Sequence, residues 1–285
     1  MQSSTAREEW ALFGVTTLWG ASFLLIRLAM AQCGPLCFVG VRFTCATLAM
    51  LLITWPILAG INKREIVGGS IIGLVSFIGF ALQTWGLAEI ESAKSGFLTA
   101  FYAPLVPVFE LLLMRHKPTR YAWLGMAIAF PGVLLMTGSG ALPSTLSRGE
   151  IVTLISAVVF ALEIVLTGML APGTTPRRFV TVEVLVSAIL AFITMPLFGE
   201  AWPKFSWFFI AIAAVLGLST AFIQNIVVWA QKRIPPTRAT VIYTAEPVWA
   251  GIFGFLAGEA LTFRAFVAGA MIVGGILVSS YKSKD

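Results

Sequence analysis

The chain has 285 residues, 58% of them hydrophobic and only 11% charged, with a formal net charge of +6. A soluble domain carries about 25% charged residues, so this chain cannot clothe a water-facing surface and reads as an integral membrane protein. Its 19 basic residues are spread over short connecting segments, which suits topology signals and does not make a nucleic-acid footprint.

Apolar runs of roughly 20 residues, enough to cross a bilayer, alternate with short polar or Pro/Gly turns. In chain order they predict ten helical spans at 10–31, 35–58, 66–87, 92–115, 120–139, 149–168, 177–198, 206–229, 236–257 and 262–281. The leading MQSSTAREEWALFG carries acids and lacks a short hydrophobic region ending in a small-residue cleavage site. It is read as a cytoplasmic lead-in to a retained first helix. Only QCGP around Gly34 separates the first two spans. Cys33, Cys37 and Cys45 cluster there without zinc-site spacing, and the only histidine is His116, so the cysteines read as small apolar fillers and no metal or cofactor is expected.

The fourth span, Ser95 to Met114, reads SGFLTAFYAPLVPVFELLLM, with Pro104 and Pro107 in its middle and Glu110 near its end. Proline lacks an N–H and clashes with the carbonyl four residues back. Pro104 is thus expected to free the carbonyl of Ala100, and Pro107 that of Ala103. The ninth span, Arg238 to Ala257, reads RATVIYTAEPVWAGIFGFLA and is built alike, with Glu246 beside Pro247. Two spans that give up regularity at mid-depth, in corresponding halves of a chain, point to a transport path between them. No loop can hold a soluble domain, and no GxxxxGK[ST] loop binds nucleotide, which disfavours an ATP-driven pump or a membrane enzyme.

With the amino terminus inside, thirteen basic residues fall on inner segments and four on outer turns, Arg27 and Arg42 lying within helices. Both termini are therefore expected to be cytoplasmic. The chain also repeats itself. FVGVR from Phe38 matches FVTVE from Phe179, TLWGA at Thr17 is echoed by TLISA at Thr153, Gln83 by Gln224, and Gly125 and Gly132 have rough partners in Gly269 and Gly275. Five spans per half is an odd number, so the second half enters from the opposite side. The expected fold is an all-α polytopic membrane protein of ten transmembrane helices in two inverted five-helix repeats, 1–143 and 144–285. Such a fold can expose one site to each side in turn.

The motifs WGASF from Trp19, Arg42 early in the second span, the AxxAP-like approach to Pro104, AEPVWA around Pro247, GEALT from Gly258 and the glycine-rich last span resemble the drug/metabolite transporter superfamily. Within it the likeness is to the ten-span branch of two EamA-type domains, and most of all to bacterial inner-membrane exporters of aromatic amino acids. That resemblance implies helices around a central cavity, the fourth and ninth spans near its lining, and export of free amino acids by alternating access. The halves differ at one motif, where His116 stands opposite Glu259.

Charged or multiply hydrogen-bonding residues within hydrocarbon must pair or face water. Glu163, deep in the sixth span, is either a cavity group for a substrate ammonium or a proton, or a neutralised acid fixing packing. Glu246 offers a polar point beside Pro247. Arg42 either receives a carboxylate or snorkels to the interface. Glu183 is expected to pair with Arg177 or Arg178, and Arg27 and Glu110 to serve the membrane interface. Trp19, Phe101, Tyr102 and Tyr243 are the aromatic lining candidates. Gln83 and Gln224 either touch substrate or tie helices together, and Trp85 and Trp229 suit interfaces. The helix-shaping set is Pro104, Pro107 and Pro247, and Gly69, Gly73, Gly254 and Gly258 read as close-packing points or hinges.

The reading with most support is a secondary transporter in a bacterial inner membrane, exporting small metabolites, aromatic and other neutral amino acids above all. Proton antiport and facilitated diffusion both stay open, and a monomer suffices. The alternative is a drug, purine or nucleotide-sugar carrier. A nucleotide sugar would call for clustered cavity bases, whereas the deep charges here are mainly acids. A membrane enzyme lacks a nucleophile, base or metal constellation, and a purely structural protein leaves the paired broken helices without a role.

Overall fold

The structure is a computed structural model that describes residues 5–30, 32–90, 92–136, 146–203, 206–246, 248, 249, 252 and 263–280. All regular structure among them is helical: α1 Ala6–Met30, α2 Pro35–Leu58, α3 Lys63–Glu89, α4 Ser92–Thr99, α5 Tyr102–Phe109, α6 Arg120–Met136, α7 Arg148–Leu170, α8 Pro176–Thr194, α9 Trp207–Gln231, α10 Pro236–Tyr243 and α11 Phe263–Ser280. Five helical stretches, Pro35–Leu58, Lys63–Glu89, Arg148–Leu170, Pro176–Phe198 and Trp207–Gln231, are long and apolar enough to cross a membrane. Their outward faces expose large apolar side chains, among them Leu52, Trp55, Leu218 and Phe222. Such a face suits acyl chains and is poorly suited to water.

Side chains satisfy the N–H groups that helix starts leave orphaned. Asn62 and Glu65 form a capping box at α3, Ser147 and Glu150 another at α7, and the Ser206 hydroxyl accepts from Phe209 N at α9. Three starts instead borrow a carboxylate from elsewhere in the chain. Glu200 accepts from Leu36 N and Cys37 N at the head of α2, and Glu65 accepts from Thr175 N at the head of α8. Glu110 accepts from both the backbone N–H (2.8 Å) and the hydroxyl of Thr237 at the head of α10, and meets His116 Nδ1 at 2.9 Å. Glu110 is fully buried and does not serve the interface. An anion at a helix N-terminus is stabilised by the unpaired N–H groups and the helix dipole, which is why this acid can lie inside.

The fourth span is not one helix. α4 stops at Thr99, Ala100 and Phe101 form a turn, and α5 runs into a π-helical turn, Glu110–Met114, that ends at Arg115 in the left-handed region (φ 54°). The break therefore precedes Pro104, which sits in the first turn of α5 where a missing N–H costs least. The Ala100 carbonyl does not stay free: the Ala103 N–H takes it at 3.0 Å. α10 likewise ends at Tyr243 and yields to a turn at Thr244–Ala245. Pro247, Gly254, Gly258 and Glu259 lie outside the described residues.

α2 packs on α8 and α9, α3 on α7 and α8, α1 on α9 and α10, α5 on α7 and α10, and α6 on α11. Exchanging α1 with α7, α2 with α8, α3 with α9, α4–α5 with α10, and α6 with α11 returns the same set of principal pairs. Glycines permit the closest crossings. A Cβ on Gly69 or Gly73 would meet the Phe179 or Glu183 carbonyl of α8 at 2.7 and 2.5 Å, and Gly125 and Gly275 face each other's carbonyls across α6–α11 at 2.6 Å. Two large apolar cores result, one centred on α2, α3, α8 and α9, the other on α1, α5, α7, α9 and α10, with a small third cluster at Ala100 and Ile272.

Candidate functional site

Where the two cores meet, α1, α2, α3, α7 and α9 and the α4–α5 and α10 breaks enclose a cavity of about 90 Å³. Eight of the nine lining candidates converge on it: Trp19, Arg42, Gln83, Tyr102, Glu163, Gln224, Tyr243 and Glu246. Phe101 does not line it. Its ring packs edge-on against Phe130 at 5.5 Å, in the turn that precedes α5, while Tyr102 at the start of α5 takes the inward direction. The walls are aromatic. Trp19 meets Tyr243 edge-on at 5.0 Å, and Phe80 bridges Phe43 and Phe160 at 5.3 Å each.

Arg42 is buried and does not snorkel. Its Nε donates to Thr220 Oγ1 at 2.8 Å, and its guanidinium carbon stands 4.8 Å from the Phe80 ring centre. Among the described residues no carboxylate lies within ion-pair distance of it. Gln83 Nε2 reaches Thr99 Oγ1 at 3.3 Å, so it faces the cavity and also ties α3 to the end of α4. Tyr243 accepts a hydrogen bond from Gln231 Nε2 at 3.2 Å.

Glu163 accepts from the Ser76 hydroxyl at 2.8 Å and from Gln224 Nε2 at 3.2 Å. The same Gln224 nitrogen also donates to Glu183. Two acceptor-only carboxylates on one side determine which end of the amide faces them. Glu183 therefore does not pair with Arg177 or Arg178. Arg178 instead donates to the Ile57 and Gly60 carbonyls beside Glu65, while Glu183 points from the middle of α8 into the bundle. Reach decides this: Glu183 is more than a turn from either arginine along α8.

Ser22, Phe80, Thr99 and Phe160 also line the cavity, and Ser76 holds its acid Glu163, although small polar and phenylalanine side chains are unremarkable in apolar sequence. A signal existed. Gln83 and Gln224 are 141 positions apart, and the same step joins Arg42 to Glu183, Ser22 to Glu163, Trp19 to Phe160 and Tyr102 to Tyr243. Reading the halves at that constant step would have collected much of the wall.

Acids tie the helices together at one end of the bundle. Glu8 meets Arg233 at 2.8 Å, Glu9 pairs with Arg238, and Glu110 holds Thr237, which joins the start of α1, the head of α10 and the end of α5. Trp229 carries the Arg7 guanidinium on its ring at 5.5 Å near that end, and Trp85 packs on Phe198.

The profile of the EamA-like transporter family matches this chain twice, at residues 7–138 and 147–281. An uncharacterized transporter of Archaeoglobus fulgidus is 26% identical over 94% of this chain and 84% of its own length. The uncharacterized inner membrane transporter YedA of Escherichia coli is 27% identical over 94% and 89%, and the uncharacterized transporter YoaV of Bacillus subtilis is 22% identical over 95% of each. A crystal structure 19% identical in sequence superposes with a TM-score of 0.80, covering 98% of this chain and 99% of that one, which shows a shared fold.

Proposed function

The chain belongs to the EamA-like transporter family, and on that premise we propose that it exports small zwitterionic metabolites, aromatic and other neutral amino acids first among them, across a bacterial inner membrane. Family membership and the transporter names of its relatives point to carriage and away from bond-making chemistry. One observation carries the substrate reading: a single aromatic-walled cavity holds an arginine that has no carboxylate partner, and acids that have no basic partner, among the described residues. Arg42 rests on Phe80 of α3 and Glu163 on Ser76, one turn earlier, about 6 Å along the helix axis. That spacing lets a carboxylate and an ammonium on neighbouring atoms be met from two sides, with a ring against Trp19, Tyr102 and Tyr243.

In this reading 1–143 and 144–285 are five-helix repeats inverted in the membrane, with both termini cytoplasmic. The invariance of the packing pairs to exchange of the halves supports it, as do the odd number of spans per half and the bias of basic residues. Rocking one repeat against the other would open the cavity to each side in turn. The carboxylate ties of Glu8, Glu9 and Glu110 would close its cytoplasmic end in the state described.

The test is counterflow in proteoliposomes with labelled Phe, Trp and Thr and a cationic dye, with and without a pH gradient. Amino-acid exchange that Glu163→Gln impairs more than it impairs membrane insertion is the expected result. Dye exchange without amino-acid exchange would reverse the substrate reading.

A further inference from the structure

Glu183 plays no part in the cavity wall, yet it is tied to it. It is fully buried on α8, held by Gln224 of α9, and does not itself line the cavity. Gln224 Nε2 carries two hydrogens, and its bonds go to Glu183 Oε1 and to Glu163 Oε1, which also takes the Ser76 hydroxyl. The second oxygen of each acid, Oε2, is buried without a hydrogen-bond partner. No lysine, arginine or histidine among the described residues lies within ion-pair distance of either acid. An acid pair with every donor placed on one oxygen and none on the other has the form of a site that takes up protons.

We propose that Glu163, Gln224 and Glu183 form one proton-binding unit, with Glu163 the member that meets the substrate and Glu183 the hidden partner that sets when Glu163 releases its proton. The groups facing the unit are few. α2 contributes Arg42, committed to Thr220 and Phe80. α5 and α10 contribute the phenols of Tyr102 and Tyr243, Glu246 lies across the cavity, and α3 presents Ser76, Phe80 and Gln83 without a charge. Nothing there neutralises two carboxylates at once. Burying each uncompensated ion costs several kcal/mol, and Arg42 can offset at most one of the two, so the unit holds a proton when the cavity contains no substrate cation.

This deepens the amino-acid reading above and rests on it for the identity of the cation. As a substrate ammonium approaches, the O–H bond at Glu163 Oε2 breaks, the proton passes to water in the cavity, and the freed carboxylate accepts N–H bonds from the ammonium. The ammonium takes the place of the proton's positive charge beside Glu163, and the substrate carboxylate is met by Arg42. When the substrate leaves, a proton from the other side restores the acid, giving exchange of one proton for one ammonium group. Gln224 is then a positioning residue that couples the two acids, and not a substrate contact.

Infrared spectroscopy of the full chain in lipid tests the unit without any substrate, by following the carboxylic-acid carbonyl bands across pH. In Glu183→Gln the band of the remaining Glu163 should shift its titration midpoint by about one pH unit or more, the threshold for interacting sites. Glu163→Gln should do the same to Glu183, and Gln224→Leu should uncouple them while leaving both acids present. Midpoints for Glu163 that are equal in the unaltered chain and in Glu183→Gln overturn the proposal, whatever the protein carries. The exchange step is read by adding tryptophan, or indole-3-propionate which lacks the ammonium, to weakly buffered proteoliposomes containing a pH dye. Tryptophan should release protons from the unaltered chain and not from Glu163→Gln, and indole-3-propionate should release none. Coupled midpoints without release on tryptophan would uphold the unit and overturn the exchange step, whereas the amino-acid reading falls only if tryptophan shows no counterflow, which separates the failures.

Discussion

Replacing Gly73 by alanine probes how helix packing sets the acid pair. α3 crosses α8 at this residue, and a Cβ built there lies 2.5 Å from the Glu183 carbonyl oxygen and 2.9 Å from Val186 Cβ. Close-packed interiors do not tolerate carbon–oxygen contacts much under 3 Å, so α8 must retreat by about 0.5 Å or more. Overpacking of this kind costs about 1–3 kcal/mol, against roughly 1 kcal/mol that alanine gains over glycine in a helix. The net expectation is a loss of about 1 kcal/mol, greater for valine. The clash falls on the backbone of Glu183 itself, and the Ser187 hydroxyl that joins α8 to the Gly73 carbonyl at 2.9 Å is strained with it. The bridge from Gln224 should therefore loosen, and transport should fall by more than the stability loss explains. Unfolding in mixed micelles against rising denaturing detergent gives the first quantity, and counterflow gives the second. Gly14, with nothing within 4 Å of an added Cβ, is the control: alanine there should be neutral or stabilising. A Gly73→Ala protein as stable as the parent and equally active would refute the argument.

Glu110→Ala strips the acceptor from the Thr237 N–H and hydroxyl at the head of α10. It should destabilise by about 1–3 kcal/mol per donor left buried, and Glu110→Gln, which keeps one acceptor oxygen, should lose less in the same unfolding assay. Arg42→Lys keeps the charge but gives up the Nε bond to Thr220 and the flat contact with Phe80. Its KM for tryptophan in counterflow should rise about tenfold, the equivalent of about 1.4 kcal/mol. Phe101→Leu should transport nearly as well as the parent, because that ring packs on Phe130 outside the cavity, whereas Tyr102→Ala next to it should not.

Much of the architecture is legible in the sequence because its cause is local. Bilayer thickness demands long apolar runs, and prolines, glycines and polar turns end them, so the expected span at 35–58 coincides with α2, that at 149–168 lies within α7, and that at 206–229 starts at the N-cap of α9 and ends inside it. The acids and the arginine stand out for a similar reason: each is costly in hydrocarbon, so its mere presence marks it. What each one touches was decided only by the tertiary structure. A helical residue turns about 100° per step, and the direction it finally faces depends on which helices cross there and how closely glycines let them approach. Phe101 therefore turns away while Tyr102 turns in, and Glu110 caps a helix begun 126 positions later. Glu183, expected beside its neighbouring arginines, is held by Gln224 against Glu163. The sequence by itself determined a membrane-spanning helical carrier with acids in its interior. Only the packing of α3, α7, α8 and α9 brought two of those acids to the same glutamine, Gln224.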